Sequence, residues 1–170
     1  MALKRIALRD FVIVRELELD LSSGFTVLTG ETGAGKSILI DALQLALGAR
    51  ADSAWVREGA TRTEVSAEFD IPTARETWLN TWLENAGFDT EDTLLLRRTV
   101  DTAGKSRAWI NGSSATATQL KELGDELVDI HGQHAWATLS RADAVRGLLD
   151  AYAGNNCQPL SAAWTQWRAA

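Results

Sequence analysis

A chain of 170 residues, 45% of them apolar, is long enough to bury one real core. Its net charge of −6 and sequence pI of about 4.9 argue against a generally basic nucleic-acid coat, so any nucleic-acid contact must come from a local patch or a separate segment. The single cysteine, Cys157, excludes an internal disulfide and suits a reducing cytoplasm. No sustained apolar core follows Met1–Ile6, so no signal peptide is expected, and no apolar run approaches the roughly 20 residues of a membrane span.

Leu3 to Phe11 reads as a strand and Val12 to Leu21 as its antiparallel partner. Leu17, Leu19 and Leu21 alternate with Glu16, Glu18 and Asp20, the pattern of a half-buried strand. Ser22-Ser23-Gly24 is a turn, and Phe25 to Thr29 is a short β-branched and apolar run, hence a third strand. Gly30-Glu31-Thr32-Gly33-Ala34-Gly35-Lys36-Ser37 then fits G-x-x-x-x-G-K-[ST], the loop that cradles nucleotide phosphates. Ser37 to Leu47 reads as a helix stopped by Gly48. Strand, glycine loop and helix are the context this motif requires.

Each loop residue has a physical role. Gly30, Gly33 and Gly35 permit backbone angles and a close approach that a Cβ would block. The amides of residues 30–38, including those of Glu31, Thr32, Ala34 and Ile38, point inward at a phosphate, reinforced by the helix N-terminus. Lys36 reaches the β- and γ-oxygens as a mobile charge, and the Ser37 hydroxyl is the expected Mg²⁺ ligand. The loop thus calls for ATP or another nucleoside triphosphate, with Mg²⁺.

Trp55-Val56-Arg57-Glu58-Gly59 reads as a short strand and turn. Thr63 to Ile71 alternates again, with Val65, Ala67, Phe69 and Ile71 on one face and Pro72 closing it. Trp78, Leu79, Trp82, Leu83 and Ala86 recur at helical spacing before Gly87, a stripe that packing explains better than base stacking. Leu94 to Val100 and Lys105 to Ile110 flank Asp101-Thr102-Ala103-Gly104 as a β-hairpin, and Asn111-Gly112 marks a second tight turn. Leu120, Leu123, Leu127 and Ile130 mark an amphipathic helix from about Thr118, which runs into His131-Gly132-Gln133-His134. Arg141 to Ala153 is a helix closed by Gly154. From Pro159, Leu160, Ala163, Trp164 and Trp167 fall at i, i+3, i+4 and i+7, so a further amphipathic helix begins.

Asp101-Thr102-Ala103-Gly104 also matches the D-x-x-G of GTPases, which keeps a small GTPase or a self-contained nucleotide kinase as an alternative. Against it, Arg97 and Arg98 suit an exposed hairpin rather than a buried parallel strand, and no N-K-x-D guanine-reading motif occurs. Hydrolysis by a P-loop ATPase further needs an apolar strand ending in Asp-Glu, and the chain contains none. The sequence provides a phosphate cradle without a complete hydrolytic machine.

The N-terminal hairpin, the run Leu28 to Leu43, Gly104-Lys105-Ser106-Arg107, Ile110-Asn111-Gly112 and Val128-Asp129-Ile130-His131-Gly132-Gln133-His134 together resemble the N-terminal head segment of the RecN family, bacterial DNA-repair ATPases related to SMC proteins. The resemblance covers nearly the whole chain, and the Ile-Asn-Gly and Asp-Ile-His-Gly-Gln-His stretches make it specific. It implies an α/β P-loop NTPase fold, an ABC/SMC-like head lobe with an antiparallel β subsheet over residues 1–157 and the start of a coiled coil over 158–170. It implies that the signature motif, Walker B and catalytic glutamate lie in a C-terminal half of the same head, and that a second head of a homodimer closes the site. Gln133 then matches the Q-loop glutamine, a Mg²⁺ ligand that helps place the attacking water. Arg57 matches an arginine that faces nucleotide or DNA in SMC-like heads. The implied partner is DNA, as double-stranded ends, and the implied location is the bacterial cytoplasm, associated with the nucleoid and with no membrane. Lys4, Arg5, Arg9, Arg97, Arg98, Lys105 and Arg107 are the candidate phosphate contacts. His131 and His134, with only a distant Cys157, make a poor zinc site.

Overall fold

The computed structural model describes residues 2–21, 24–29, 35–71, 73–128, 130, 142–155 and 158–169. The chain divides into two units, Met1–Val128 and Asp129–Ala170. The first is built on six strands, β1 (Ala2–Phe11), β2 (Val14–Asp20), β3 (Arg62–Asp70), β4 (Thr93–Asp101), β5 (Ser106–Ile110) and β6 (Ser113–Ala115). They form one sheet in the order β2-β1-β3-β4-β5-β6, antiparallel at every pairing.

The period-two pattern decides which face is buried. Ile6 and Leu8 of β1 pair with Ala67 and Val65 of β3, and Val65 and Ala67 pair with Arg98 and Leu96 of β4. All six are buried. Helix α1 (Lys36–Ala46) covers this face with Ala42, Leu45 and Ala46. Its end is a Schellman motif: Gly48, at φ 92, donates to the Leu45 carbonyl, and Ala49 donates to that of Gln44. Helix α3 (Ala117–Leu127) crosses at that point. A Cβ on Gly48 would lie 2.5 Å from the Lys121 amide nitrogen, and one on Gly124 would lie 2.9 Å from Leu47. Two absent side chains therefore set how closely α1 and α3 approach. Thr116 and Gln119 form a capping box that starts α3. Helix α2 (Thr73–Ala86) buries Leu79 and Leu83, while Trp82 stacks on Phe88 at 6.0 Å.

The opposite face is a lattice of charges. Arg5 pairs with Glu18 and Asp20, Arg9 with Glu16, and Lys4 with Glu68, each across neighbouring strands. Arg97 lies 4.2 Å over the Trp109 ring.

Both expected hairpins form. Asn111 and Gly112 have φ 46 and 79, the left-handed pair that a two-residue turn demands, and Asn111 is held by Leu95 and Asp89. Four expectations need correction. Phe25–Thr29 forms no strand and joins none of the six, so its apolar composition finds no pairing partner among the described residues. The segment expected as a strand at Trp55–Gly59 is a 3₁₀ turn over Ser53–Trp55 followed by a single bridge from Val56 to Phe11. α3 stops at Leu127, since Val128 already has extended angles, so Ile130 lies off the helix. Arg98, expected on an exposed hairpin, is 2% exposed on the core face of β4.

The second unit holds α4 (Ala142–Ala153) and α5 (Gln158–Ala169). On α5 the expected stripe is exposed: Leu160, Trp164 and Trp167 all face solvent, with the two indoles 5.0 Å apart. Among the described residues no helix is long and apolar enough to cross a membrane.

Candidate functional site

The site is placed by the start of α1. Gly35 is its N-cap, at φ 89 and ψ 0, a conformation that glycine adopts at no steric cost. It carries no side chain to cap the helix, and no acidic residue occupies the first turn. The opening amides of α1 therefore point out of a helix N-terminus at which Lys36 is the first residue, a favourable field for an anion.

Lys36 and Ser37 are the first two residues of α1, with Lys36 half-buried and Ser37 exposed. Gly35, Lys36 and Ile38 line a cavity of ≈ 210 Å³ with Thr29 and Leu28 before the loop, Leu8 of β1, and Val14 and Leu17 of β2. The N-terminal hairpin thus forms an apolar wall beside the phosphate loop. Gly30, Glu31, Thr32, Gly33 and Ala34 lie outside the described residues, as do His131, Gln133 and His134.

Arg57 lines a different cavity, of ≈ 390 Å³, with Arg9, Asp10, Gly59, Ala60, Thr61, Arg62 and Glu64. Its Nε donates to Asp10 Oδ1 at 2.7 Å, and both side chains are about a third exposed or less. Sequence reasoning singled out Arg57 and missed Asp10. The signal was faint: an Asp two residues before a turn, one of the few side chains that tolerates positive φ.

The structure sorts the other candidates. Asp101 is a turn residue whose Oδ1 accepts from the amides of Ala103 and Lys105, with Gly104 at φ 77. The Asp-Thr-Ala-Gly tetrapeptide closes a β-hairpin, as its turn chemistry predicts, and is not arranged as a GTPase switch. Lys4, Arg5 and Arg9 are already paired to carboxylates, and the Lys4 ammonium beside Glu68 holds its proton above the ordinary lysine range. Arg98 donates from Nη2 to Ser106 Oγ at 3.0 Å, while its Nε and Nη1 have no partner among the described residues. Burial pushes its guanidinium below the usual arginine range. Lys105 and Arg107 remain exposed. No group of three or more His, Cys, Asp or Glu side chains that could hold a metal occurs among the described residues.

Comparison with known proteins agrees with this geometry. A family model described as an AAA domain matches residues 5–132. The chain is 46% identical over 169 residues to a DNA repair protein RecN of Xylella fastidiosa (strain Temecula1 / ATCC 700964), covering 98% of this chain and 30% of that protein. It is 40% identical over 153 residues to a DNA repair protein RecN of Bacillus subtilis (strain 168), covering 89% and 26%. The chain thus spans about 30% or less of the length of these relatives. Among solved structures, an Smc head domain with a coiled coil and joint derived from Pyrococcus yayanosii is 26% identical with a TM-score of 0.58, over 74% of this chain and 25% of that one. A chain from work on ATP-driven dimerization and DNA-stimulated activation of SMC ATPases has a TM-score of 0.61 at 23% identity, over 86% of this chain and 96% of that one, which shows the fold alone. The fold is that of an α/β P-loop head lobe of SMC type; the chain belongs to the AAA-domain family, and within it its likeness is to proteins of the RecN type.

Proposed function

We propose that this chain is the ATP-binding part of a RecN-like ATPase that acts in repair of DNA double-strand breaks. The observation that carries the reading is the start of α1: a left-handed Gly35 without a side chain, then Lys36 and Ser37, at the mouth of a cavity walled by β1 and β2. The motif would set amides of Gly30, Glu31, Thr32, Gly33, Ala34, Gly35 and Ile38 around the phosphates, and Lys36 would neutralise the β- and γ-oxygens. The donor set suits Mg²⁺, a hard cation that takes oxygen ligands and shares them with phosphate: the Ser37 hydroxyl would hold it, with the Gln133 amide oxygen. Bound there, the ion would neutralise charge developing on the transferred phosphoryl group. Gln133 would orient the attacking water, and Arg57, which lines a separate cavity, would meet a phosphate of nucleotide or DNA.

Hydrolysis is shared with residues outside this chain. Phe25, Val27, Leu28 and Ile40 are exposed by 94%, 62%, 47% and 43%. The unpaired Phe25–Thr29 segment and this apolar surface support docking of the C-terminal half of the same head, which adds the missing parallel strands. A second head of a homodimer then closes over the γ-phosphate, and hydrolysis releases it. The exposed stripe on α5 supports the start of a coiled coil, which would pass this motion to DNA ends. The protein would work in the bacterial cytoplasm, at the nucleoid.

The test is equilibrium binding of Mg·ATP and Mg·GTP to the chain and to Lys36→Ala. ATP is expected to bind better than GTP, and Lys36→Ala to weaken ATP binding by at least about tenfold, the effect of roughly 1.4 kcal/mol. Unchanged affinity in Lys36→Ala would remove the site assignment.

A further inference from the structure

The corner between β1 and β2 carries strain that the hairpin alone does not require. Asp10 and Val12 have φ 50 and 52, on either side of Phe11, which is fully buried. Positive φ is tolerable for Asp and a genuine outlier for β-branched Val, and it persists only where the surroundings over-determine it. Here the surroundings are one segment, residues 55–57. Val12 donates its amide to the Trp55 carbonyl at 2.8 Å, and the Arg57 amide donates to the Asp10 carbonyl at 2.9 Å. Phe11 bridges Val56, and its ring lies 5.9 Å from that of Trp55. The Asp10 carboxylate then accepts from Arg57 Nε. Arg57 is thus tied to Asp10 through both main chain and side chain.

This tie leaves the other end of the guanidinium available. Nη1 reaches only the Glu58 carbonyl at a long 3.4 Å, and Nη2 has no partner among the described residues. Arginine presents its donors as a planar fork, so fixing Nε orients the Nη pair, the edge that meets phosphate bidentately. Arg57 and Arg62 line the same cavity, whose third arginine, Arg9, is committed to Glu16.

We propose that Asp10 is a positioning residue: it clamps Arg57 through Nε so that the Nη edge is presented, pre-oriented, to a phosphate group. This rests on the reading of Arg57 as a phosphate contact given above. The phosphate belongs to a nucleotide or to a nucleic-acid backbone, and the experiment separates these sources.

The experiment measures the affinity of the chain for Mg·ATP and, separately, for a short DNA duplex at low and physiological salt, together with thermal unfolding. The variants are Asp10→Asn, Arg57→Ala and the double variant. Asparagine tolerates the positive φ and keeps an acceptor, but removes the charge that holds Arg57. Arg57→Ala is expected to weaken one of the two ligands by about tenfold, and Asp10→Asn to weaken the same ligand by about threefold or more. In the double variant, Asp10→Asn should add nothing, since its effect passes through Arg57. Loss for ATP identifies the nucleotide, and a salt-dependent loss for DNA identifies the backbone. The proposal is overturned if Asp10→Asn leaves intact an affinity that Arg57→Ala lowers, in which case the reading of Arg57 survives alone. It is also overturned if the effects simply add, or track thermal unfolding for both ligands alike, which marks a structural role. If Arg57→Ala changes neither affinity, or the wild-type chain binds neither ligand, the proposal falls with the reading beneath it. Should Asp10→Asn fail to fold, Arg57→Lys decides: it keeps the charge but lacks the fork, and unchanged affinity there also overturns the proposal.

Discussion

At the scale of single residues, two features decide more than their size suggests. Gly48 ends α1 in a left-handed conformation and lets α3 touch it. Gly48→Ala adds strain at φ 92 and a Cβ 2.5 Å from the Lys121 amide, so the α1–α3 contact must open. Unfolding in denaturant should show a loss of about 2–4 kcal/mol, the sum of the left-handed penalty and overpacking. Arg98 is the reverse case, a buried cation with two nitrogens that have no partner among the described residues. Arg98→Met should be neutral or stabilise by about 1–2 kcal/mol in the same measurement, because it removes an uncompensated burial. A strong destabilisation would mean that the guanidinium has an essential partner. The sequence could announce the glycine, since Gly after an apolar helix is a stop signal. The burial of Arg98 was legible only by parity, since Leu94, Leu96 and Val100 share its face, and Leu95 between them blurs the alternation.

At the scale of elements, the strands with polar–apolar alternation were legible, and both hairpins followed from Asp-Thr-Ala-Gly and Asn-Gly. What failed was Phe25–Thr29. Its composition is that of a strand, yet a strand is a relation between backbones, and none of the six described strands pairs with it. The charged face of the sheet was legible only in part. Alternation showed where Glu16, Glu18 and Asp20 point, but not that Arg5, Arg9 and Lys4 oppose acidic residues across strands. That pairing makes a pH prediction. The folded-state pKa of Lys4 is raised by Glu68, so its contribution is fully present below the ordinary lysine range and fades as pH rises through the higher folded value. The Lys4→Met variant should therefore differ from the parent in melting temperature near neutrality, with the gap closing in strongly alkaline buffer. Because the pair is exposed, added salt should shrink the same gap.

At the scale of the whole molecule, the phosphate loop was legible as chemistry before any fold was known, because Gly30 to Ser37 has a spacing that few other demands produce. The sequence also lacks an apolar-Asp-Glu strand, which is the ground for proposing that hydrolysis needs residues outside this chain. The apolar surface at Phe25, Val27, Leu28 and Ile40 is exposed, which supports the proposed docking of further chain there. The positioning of Arg57 by Asp10 was not legible, because those residues are 47 apart in sequence and meet only through the corner of the first hairpin. On the function proposed here, this chain binds ATP in a cradle of its own and depends on other residues to hydrolyse it. The direct measurement is binding and turnover of Mg·ATP on one sample of the chain. Saturable ATP binding is expected, weakened at least about tenfold by Lys36→Ala, with no phosphate release above background. Phosphate release that Lys36→Ala abolishes, or selective binding of GTP, would contradict it.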